Sequence, residues 1–294
     1  MDCELAPGQI TILIPVFNAR HTISACIESA ASQDHFGCSI VVSDNCSTDG
    51  TVGILHQLEK TIPNLRLILN PENMGSWLNF KGLIDQCQTE MALFLGADDC
   101  IDKSYVSRCI SEFRVNRDVA LVAGGCTFID RKNKRWPGIL HNHNQHQGGA
   151  RVSDYYWKVK DNSIFYGIFR TSVGQKFFNL PCMFGGPVGA DQAFVAYLAM
   201  SGKIITLNNA QIIRGYTEDS QSTQNFPTIA SRYKHMQSYI SVQLKFLYNM
   251  KREKKISACY FLLSVFYLSF RVYIKWNLSI ARLALRQKVK HFCS

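Results

Sequence analysis

Long apolar runs separated by helix-like segments fill the first hundred residues of the chain. Four runs are almost continuously apolar, as expected for strands buried on both faces of a sheet: 9–17, 38–45, 65–70 and 91–99. Apolar residues recur at helical spacing in the intervening segments, for example at Ile23, Cys26, Ile27 and Ala30. Alternating strands and helices predict an α/β fold with a parallel sheet and right-handed crossovers.

The pattern is looser after residue 100. It predicts strands over 119–130 and 162–173, and a helix that begins near Asp191 and leads into a strand. Residues 210–216 form one more predicted strand, and the chain looks helical from about Thr228 to its end. The His-rich stretch 141–149 is typical of a loop.

Polar side chains stand where each of the first four predicted strands ends: Asn18, Asp44, Asn45, Asn70, Asp98 and Asp99. In open α/β sheets, ligands bind just beyond the carboxyl ends of the strands. Asp98 and Asp99 would then hold a metal ion at the rim of the sheet. The alternative is simpler, because Asn and Asp are common in turns whatever the function.

The charge of the chain lies at one end. The net charge of +10 comes from Lys245–Ser294, where eleven Lys or Arg face a single acid, Glu253. The remaining residues are neutral, so charge gives no support for nucleic-acid binding by the main body. A hydrophobic content of 47% with 18% charged residues indicates a folded protein.

The eleven cysteines are an odd number and contain no C-x-x-C pair. No secretory segment precedes the first strand. Reduced thiols in a cytoplasmic protein are therefore the expected state.

Four segments carry a resemblance to the family 2 glycosyltransferases of the GT-A fold. They are "ITILIPVFNA", "VVSDNCSTDGT", "NPENMGSWLNFKGL" and "LFLGADD", in the family's order and spacing, within a similarity that covers about 9–216. The resemblance implies a GT-A (Rossmann-like), mainly parallel sheet flanked by helices, with a helical C-terminal extension. It also implies a nucleotide-diphospho-sugar as the donor.

The resemblance assigns roles to the strand-end residues. Asp99 would be the direct ligand of Mn²⁺ or Mg²⁺, and Asp98 would hold the ribose or a metal-bound water. Gly96 stands where the family often has a first acid. Asp44 would accept a hydrogen bond from the nucleobase. The other donor-binding residues would be Pro15, Phe17, Asn18, Asn45, Asn73 and Gly75. For Asp49 we favour a structural role in capping the next helix.

An inverting transfer needs a base to take the proton of the acceptor hydroxyl. In the family this base is an acid near a helix start, and "GGPVGADQAF" supplies Asp191. The structural alternative for Asp191 is an N-cap. Weaker candidates for the base are Asp154, Asp161, Glu218 and Asp219. For 141–149 we favour a mobile loop over the acceptor site and consider a zinc site at its histidines the lesser alternative.

The C-terminal part predicts a second unit, so we divide the chain into a GT-A domain over 1–225 and a basic, amphipathic helical tail over 226–294. The charge-free run 256–270 has 15 residues, fewer than the ~20 that span a membrane. Three arrangements stay open for the tail: lying on an anionic membrane surface, packing on the domain, or spanning the membrane. The first would make the protein peripheral on the cytoplasmic face.

The function predicted from these residues is transfer of a sugar to a saccharide or lipid-linked acceptor in cell-envelope polysaccharide synthesis. An NAD-dependent oxidoreductase would need G-x-G-x-x-G after the first strand, and "VFNARHT" lacks it. A non-catalytic glycan-binding or scaffolding protein on the same fold is the remaining alternative.

Overall fold

A computed structural model describes residues 9–130, 132–183, 189–216, 229–270 and 272–274. The first part of the chain alternates strands and helices, as predicted. Its elements are β1 (Ile10–Val16), α1 (Ile23–Ala31), β2 (Cys38–Asp44), α2 (Thr51–Thr61), β3 (Leu65–Leu69), α3 (Ser76–Asp85) and β4 (Met91–Phe94).

The second part mixes short strands with helices. Its elements are β5 (Asp99–Ile101), α4 (Tyr105–Val115), β6 (Val119–Asp130), β7 (Arg135–Pro137), α5 (Gly148–Lys158), a 3₁₀ turn (Ser163–Tyr166), β8 (Ile168–Arg170), α6 (Thr171–Phe178), a 3₁₀ turn (Pro181–Met183), α7 (Ala190–Ser201) and β9 (Lys203–Tyr216). A long helix, α8 (Ile229–Arg252), follows, and 258–270 and 272–274 are helical.

One sheet joins the strands in the order β3-β2-β1-β4-β8-β6-β9-β5, with β7 paired to β6. The four N-terminal strands are mutually parallel, and β6 with β9 is parallel too. The pairs β4–β8, β5–β9, β6–β7 and β6–β8 are antiparallel. The predicted α/β fold is confirmed, with the parallel pairing concentrated in the half that carries the first three sequence motifs.

Two predicted strands have different limits in the structure. The fourth ends at Phe94, and Asp99 begins β5, which pairs with β9 through Asp99 and Arg214. The predicted strand 162–173 is instead a 3₁₀ turn, the three-residue strand β8 and the start of α6. Gly167 lies between the 3₁₀ turn and β8. Only glycine fits there without a shift of the neighbouring strand, because a Cβ would lie 2.7 Å from the carbonyl oxygen of Val122.

The C-terminal helices pack against the sheet domain. Six apolar side chains from them are buried in the same core as Leu13 and Phe94: Phe246, Leu247, Met250, Ile256, Leu268 and Val272. Packing is therefore the arrangement that the structure gives to 229–270 and 272–274. The boundary proposed near 225 and the basic residues after 274 lie outside the described residues. Within the described ranges, no helix has the length and apolarity to cross a membrane.

Candidate functional site

A cleft of about 580 Å³ opens at the carboxyl ends of β1, β2 and β4. It brings together seven of the residues predicted from sequence: Pro15, Phe17, Asn18, Asn45, Asn73, Gly75 and Asp98. They come from four separate segments of the chain, so the fold assembles the site. The strand ends share this edge because the sheet is parallel, but turn chemistry alone does not require an open cleft lined by their side chains.

An amide network shapes the wall made by the start of α3. Asn45 donates from Nδ2 to Asn73 Oδ1 at 2.7 Å, and Met74 N donates to Asn45 Oδ1 at 3.0 Å. Gly75 N donates to the same Asn73 oxygen at 2.9 Å. Gly75 has a φ of +80°, a backbone conformation that other residues rarely adopt. The network therefore fixes the N-terminus of α3 against the cleft, where its free N–H groups favour anions.

Asp44 lies just behind the cleft wall and is 2% exposed. Its Oδ2 accepts a hydrogen bond from Ser47 N at 2.9 Å. Its Oδ1 is buried without a hydrogen-bond partner among the described residues. A buried carboxylate oxygen of this kind is costly unless a ligand pairs with it.

Asn18 and Asp49 fold the loop that borders the cleft. Asn18, at a φ of +52°, accepts from Thr48 N at 2.8 Å through Oδ1. Asp49 accepts from Arg20 N at 3.1 Å and from Thr51 N at 3.0 Å. The N-cap of α2 is Gly50, so Asp49 supports the helix start from one residue earlier than an N-cap would.

The two acids of the fourth motif point in different directions. Asp98 lines the cleft, and burial raises its pKa. Asp99 is 1% exposed and accepts from Gly215 N at 3.2 Å and from Arg214 Nε at 3.4 Å. Burial raises the pKa of Asp99 to about 7 although Arg214 opposes the shift. The structure thus brings Asp98 to the cleft and places Asp99 behind it, and the metal-ligand role of Asp99 stays a prediction.

Gly96 explains how this acidic turn folds. A Cβ at position 96 would lie 2.6 Å from Asp99 Oδ2 and 3.1 Å from Asp98 Oδ1. Both carboxylates therefore fold around the bare glycine. A first acid at this position, as the family often has, would displace at least one of them.

Sequence reasoning missed Arg214 and Tyr166, which support the acidic turn from behind. The Arg214 guanidinium lies 4.3 Å from the Tyr166 ring centroid, and its Nη2 donates to Tyr166 Oη at 3.2 Å. Tyr166 is held in turn by Tyr105, whose hydroxyl donates to its carbonyl at 2.8 Å. Arg214 is the single basic residue in the predicted strand "AQIIRGY". It could have indicated an acidic partner nearby, since a buried charge needs one.

Asp191 lies in the first turn of α7 and is exposed. The N-cap is Gly189, so the N-cap alternative for Asp191 is wrong. Asn162 donates from Nδ2 to Asp191 Oδ2 at 2.9 Å. Burial is the main cause that raises the pKa of Tyr166, and the negative charge of Asp191 adds a smaller contribution. Asp191 itself is not among the residues that line the cleft.

Helix α8 braces the start of α7. Gln243, which is fully buried, donates from Nε2 to Gly189 O at 2.7 Å and accepts from Tyr156 Oη at 2.7 Å. Tyr239 Oη donates to Gln192 Oε1. A Cβ on Gly189 would meet the Tyr239 ring at 2.5 Å, so the two helices approach as closely as glycine permits.

The weaker acidic candidates have structural partners or lie outside the description. Asp154 binds His143 and Lys158, and Asp161 accepts from Ile139 N and Ser163 N. Glu218 and Asp219 lie outside the described residues.

The His-rich stretch packs into the fold at the other end of the sheet. His143 is fully buried and forms an antiparallel bridge with Ile204, at the opposite end of β9 from Arg214. Ten residues of strand separate the two, roughly 30 Å. The stretch is largely irregular, as predicted, but its place at this end of the sheet gives no support to a loop that covers an acceptor site beside the cleft. Among the described residues, no group of three or more His, Cys, Asp or Glu is placed to hold a metal ion, so zinc gains no support.

Residues 11–179 match the family model described as Glycosyl transferase family 2, which is more than half of the chain. Over 132 residues the chain is 30% identical to TuaG of Bacillus subtilis, whose name assigns it to teichuronic acid biosynthesis as a glycosyltransferase. Over 119 residues it is 28% identical to the GalNAc(5)-diNAcBac-PP-undecaprenol beta-1,3-glucosyltransferase of Campylobacter jejuni. These alignments cover 45% and 40% of this chain and 52% and 38% of the relatives. The chain thus spans about half or less of their length.

The fold is also similar to that of a solved structure, the mannosyltransferase PcManGT from Pyrobaculum calidifontis in complex with GDP-Man and Mn²⁺. The TM-score is 0.61 at 13% sequence identity, and the match covers 99% of this chain and 79% of the other. The expected GT-A fold is confirmed by this likeness.

Proposed function

The chain belongs to glycosyl transferase family 2, and on this premise we propose that it transfers a sugar from a nucleotide-diphospho-sugar to a saccharide or lipid-linked acceptor in cell-envelope polysaccharide synthesis. The observation that carries the proposal is the convergence of seven predicted donor-binding residues on one cleft. Concave sites with a few convergent polar groups are the usual form of small-ligand sites.

The cleft offers separate places for the parts of the donor. Asp44 Oδ1, buried and without a partner among the described residues, would accept a hydrogen bond from the nucleobase. The N-terminus of α3 would face the phosphates, because its N–H groups and helix dipole favour negative charge. Asn18 and Phe17 would border the same pocket.

A divalent cation, Mn²⁺ or Mg²⁺, fits beside Asp98. These ions are commonly held by one or two carboxylates together with substrate phosphates, so the site needs no cluster of protein ligands. Burial makes the charged form of Asp98 costly, and a cation would offset that cost. Asp99 would fix the turn through Arg214 and Gly215, and Asp98 would be the residue that holds the ion. When bound, the ion would neutralise charge on the leaving diphosphate.

Asp191 is the proposed base of an inverting transfer. Its position in the first turn of α7 stabilises the carboxylate, and Asn162 orients it through the 2.9 Å hydrogen bond. Asp191 would take the proton of the acceptor hydroxyl as that oxygen attacks the anomeric carbon and the nucleoside diphosphate departs.

The acceptor class rests on the relatives' names, which refer to teichuronic acid and to an undecaprenol-linked saccharide. A lipid-linked acceptor would bring the reaction to a membrane surface. The rival function is a glycan-binding or scaffolding protein that keeps the fold and does not turn over a donor.

The test is to incubate the full chain with a panel of nucleotide sugars, with and without Mn²⁺, and to measure the release of nucleoside diphosphate. We expect metal-dependent release from one donor, lost in Asp98→Asn. Asp118→Asn is the matched control, because this carboxylate lies in an exposed ion pair with Lys203.

Binding of Mn²⁺ and nucleoside diphosphate, measured by calorimetry, gives a second readout that needs no turnover. Asp98→Asn should weaken it more than Asp99→Asn does. The opposite order would return the ligand role to Asp99. Glycan binding without release from any donor would favour the non-catalytic rival.

A further inference from the structure

The helical residues 258–270 and 272–274 are apolar on two faces. The inner face packs on the domain through Ser264, Leu268 and Val272, all buried. The outer face carries five large residues, spaced three or four apart or adjacent and thus on one side of the helix. They are Leu262, Phe266, Phe270, Tyr273 and Ile274, exposed by 63, 60, 44, 71 and 43%.

The sheet domain extends this outer face. Trp157, at the end of α5, is 51% exposed, with its ring 4.9 Å from Tyr267 and 6.3 Å from Phe270 between centroids. Together with the five residues of the helix, Trp157 forms what we call the aromatic stripe. Contiguous exposed apolar surface of this kind marks an interaction site rather than ordinary solvent-facing surface.

Basic residues lie before the N-terminal end of this helix and next to Trp157. Four exposed basic residues directly precede the helix, and the only acid among them, Glu253, is paired with Lys255. Lys158 follows Trp157 directly on α5, although its charge is paired with Asp154. Along the sequence, Lys245–Ser294 holds eleven basic residues and one acid. Aromatic residues flanked by cations are typical of helices that lie at the surface of an anionic bilayer.

We propose that the aromatic stripe docks on an anionic lipid surface, with the helix parallel to the bilayer and its inner face still on the protein. The inference deepens the proposed function by naming the partner surface. The binding itself does not depend on sugar transfer, but its biological purpose rests on that proposed function. Within the described ranges no helix is long and apolar enough to cross a bilayer. The inner face of this helix is already packed on the protein, which favours a surface position over a span. A second copy is disfavoured, because pairing two such faces would bring two strongly positive segments together.

The test is co-sedimentation of the full chain with vesicles, without donor or metal. We expect binding to vesicles of phosphatidylglycerol and phosphatidylethanolamine, weakened by high salt, and little binding to phosphatidylcholine alone. The double substitution Phe266→Ser with Phe270→Ser should lower the partition coefficient about tenfold or more, since two aromatic side chains no longer enter the interface. Phe36→Ser is the matched control, because Phe36 is 99% exposed outside the stripe.

Three outcomes overturn the proposal: equal binding to both lipid compositions, unchanged binding of the double variant, or a lipid-free dimer that the double variant dissociates. A lipid-free dimer of this kind would make the aromatic stripe an interface between two copies of the chain. Analytical ultracentrifugation measures whether such a dimer forms. Vesicle binding requires no turnover, so the two proposals are tested separately. A failure to bind vesicles would not argue against sugar transfer, and a failure to transfer sugar would not argue against vesicle binding.

Discussion

The guanidinium of Arg214 lies 3.4 Å from the carboxylate of Asp99, measured from Nε to Oδ2. The contact joins β9 to β5 directly behind the acidic turn that lines the cleft. Since Asp99 is almost fully buried, the pair is protected from the solvent screening that weakens surface ion pairs. Arg214 therefore connects the stability of the sheet with the geometry of the site.

Replacing Arg214 by Met should leave Asp99 buried without its cation. Breaking a buried pair by removing one partner costs about 3 kcal/mol or more while the remaining charge persists. Burial already raises the pKa of Asp99 to about 7 and Arg214 opposes that shift, so without Arg214 the carboxyl is protonated at mildly acidic pH. We therefore expect the free energy of unfolding in urea to drop by that order at alkaline pH and by less at mildly acidic pH. Adding Asp99→Asn should recover much of the loss, because no unpaired charge remains. Arg214→Lys should lie between the wild type and Arg214→Met. Equal stability of Arg214→Met and the wild type would show that the pair contributes nothing.

The sequence predicted that these strand-end residues would lie together, because they follow strands of one parallel sheet, and the structure places them along one cleft. Strand ends of such a sheet meet at one edge whatever the loop details, so Asn18, Asn45 and Asp98 could be placed together without coordinates. The orientation of adjacent side chains was not predictable in this way. Asp98 and Asp99 differ in direction because β5 begins at Asp99 and pairs with β9, which is more than 100 residues away in sequence.

The His-rich stretch shows a second limit of sequence reasoning. Composition favoured a mobile loop, and residues such as Asn142 and His146 are exposed. His143, however, is buried, where it contacts Asp154 and Tyr155 and forms the bridge to Ile204. These contacts come from residues outside the segment. The segment itself has no hydrophobic periodicity from which the burial of His143 could have been predicted.

Asp44→Asn should weaken donor binding through the nucleobase. The unpaired Oδ1 can only accept a hydrogen bond, whereas an amide can place a donor there, so a base N–H would lose its partner. Such a loss costs about 1–3 kcal/mol, or roughly tenfold or more in the dissociation constant of the nucleoside diphosphate.

Inorganic pyrophosphate is the control ligand for this variant, because it has no base. Its affinity, measured by the same calorimetric titration with Mn²⁺ present, should not change. If Asp44→Asn weakened both ligands equally, the residue would act on the fold of the cleft rather than on the base.

Asp191→Asn should remove the base and leave the donor site intact. General base catalysis contributes about 10²–10⁴-fold, so the rate of transfer to the acceptor should fall within that range, with donor affinity within about twofold of the wild type. Rapid-quench transfer assays and equilibrium donor binding measure the two separately.

Asn162→Ala is the companion to this variant. It removes the hydrogen bond to Asp191 Oδ2 and keeps the carboxylate, so its loss of rate should be smaller. A collapse of donor binding in Asp191→Asn would refute the assignment of the base.

His143 should make the fold sensitive to mild acid. Burial lowers the pKa of His143 below its ordinary value, although the carboxylate of Asp154 opposes the shift. An unfolded histidine titrates at about 6.5, so below that pH the unfolded chain binds more protons at this position than the folded one does. The free energy of unfolding should therefore fall as the pH falls through about 6.5.

Urea unfolding at several pH values between 7.5 and 5.5 measures this slope. His143→Gln should be less stable at pH 7.5, because the contact with Asp154 changes, but its stability should vary less with pH than that of the wild type. His56→Gln, on the exposed side of α2 beside Glu59, is the matched control and should keep the wild-type slope. Parallel slopes for the wild type and His143→Gln would show that other groups cause the acid sensitivity, since both chains share every titrating residue except His143.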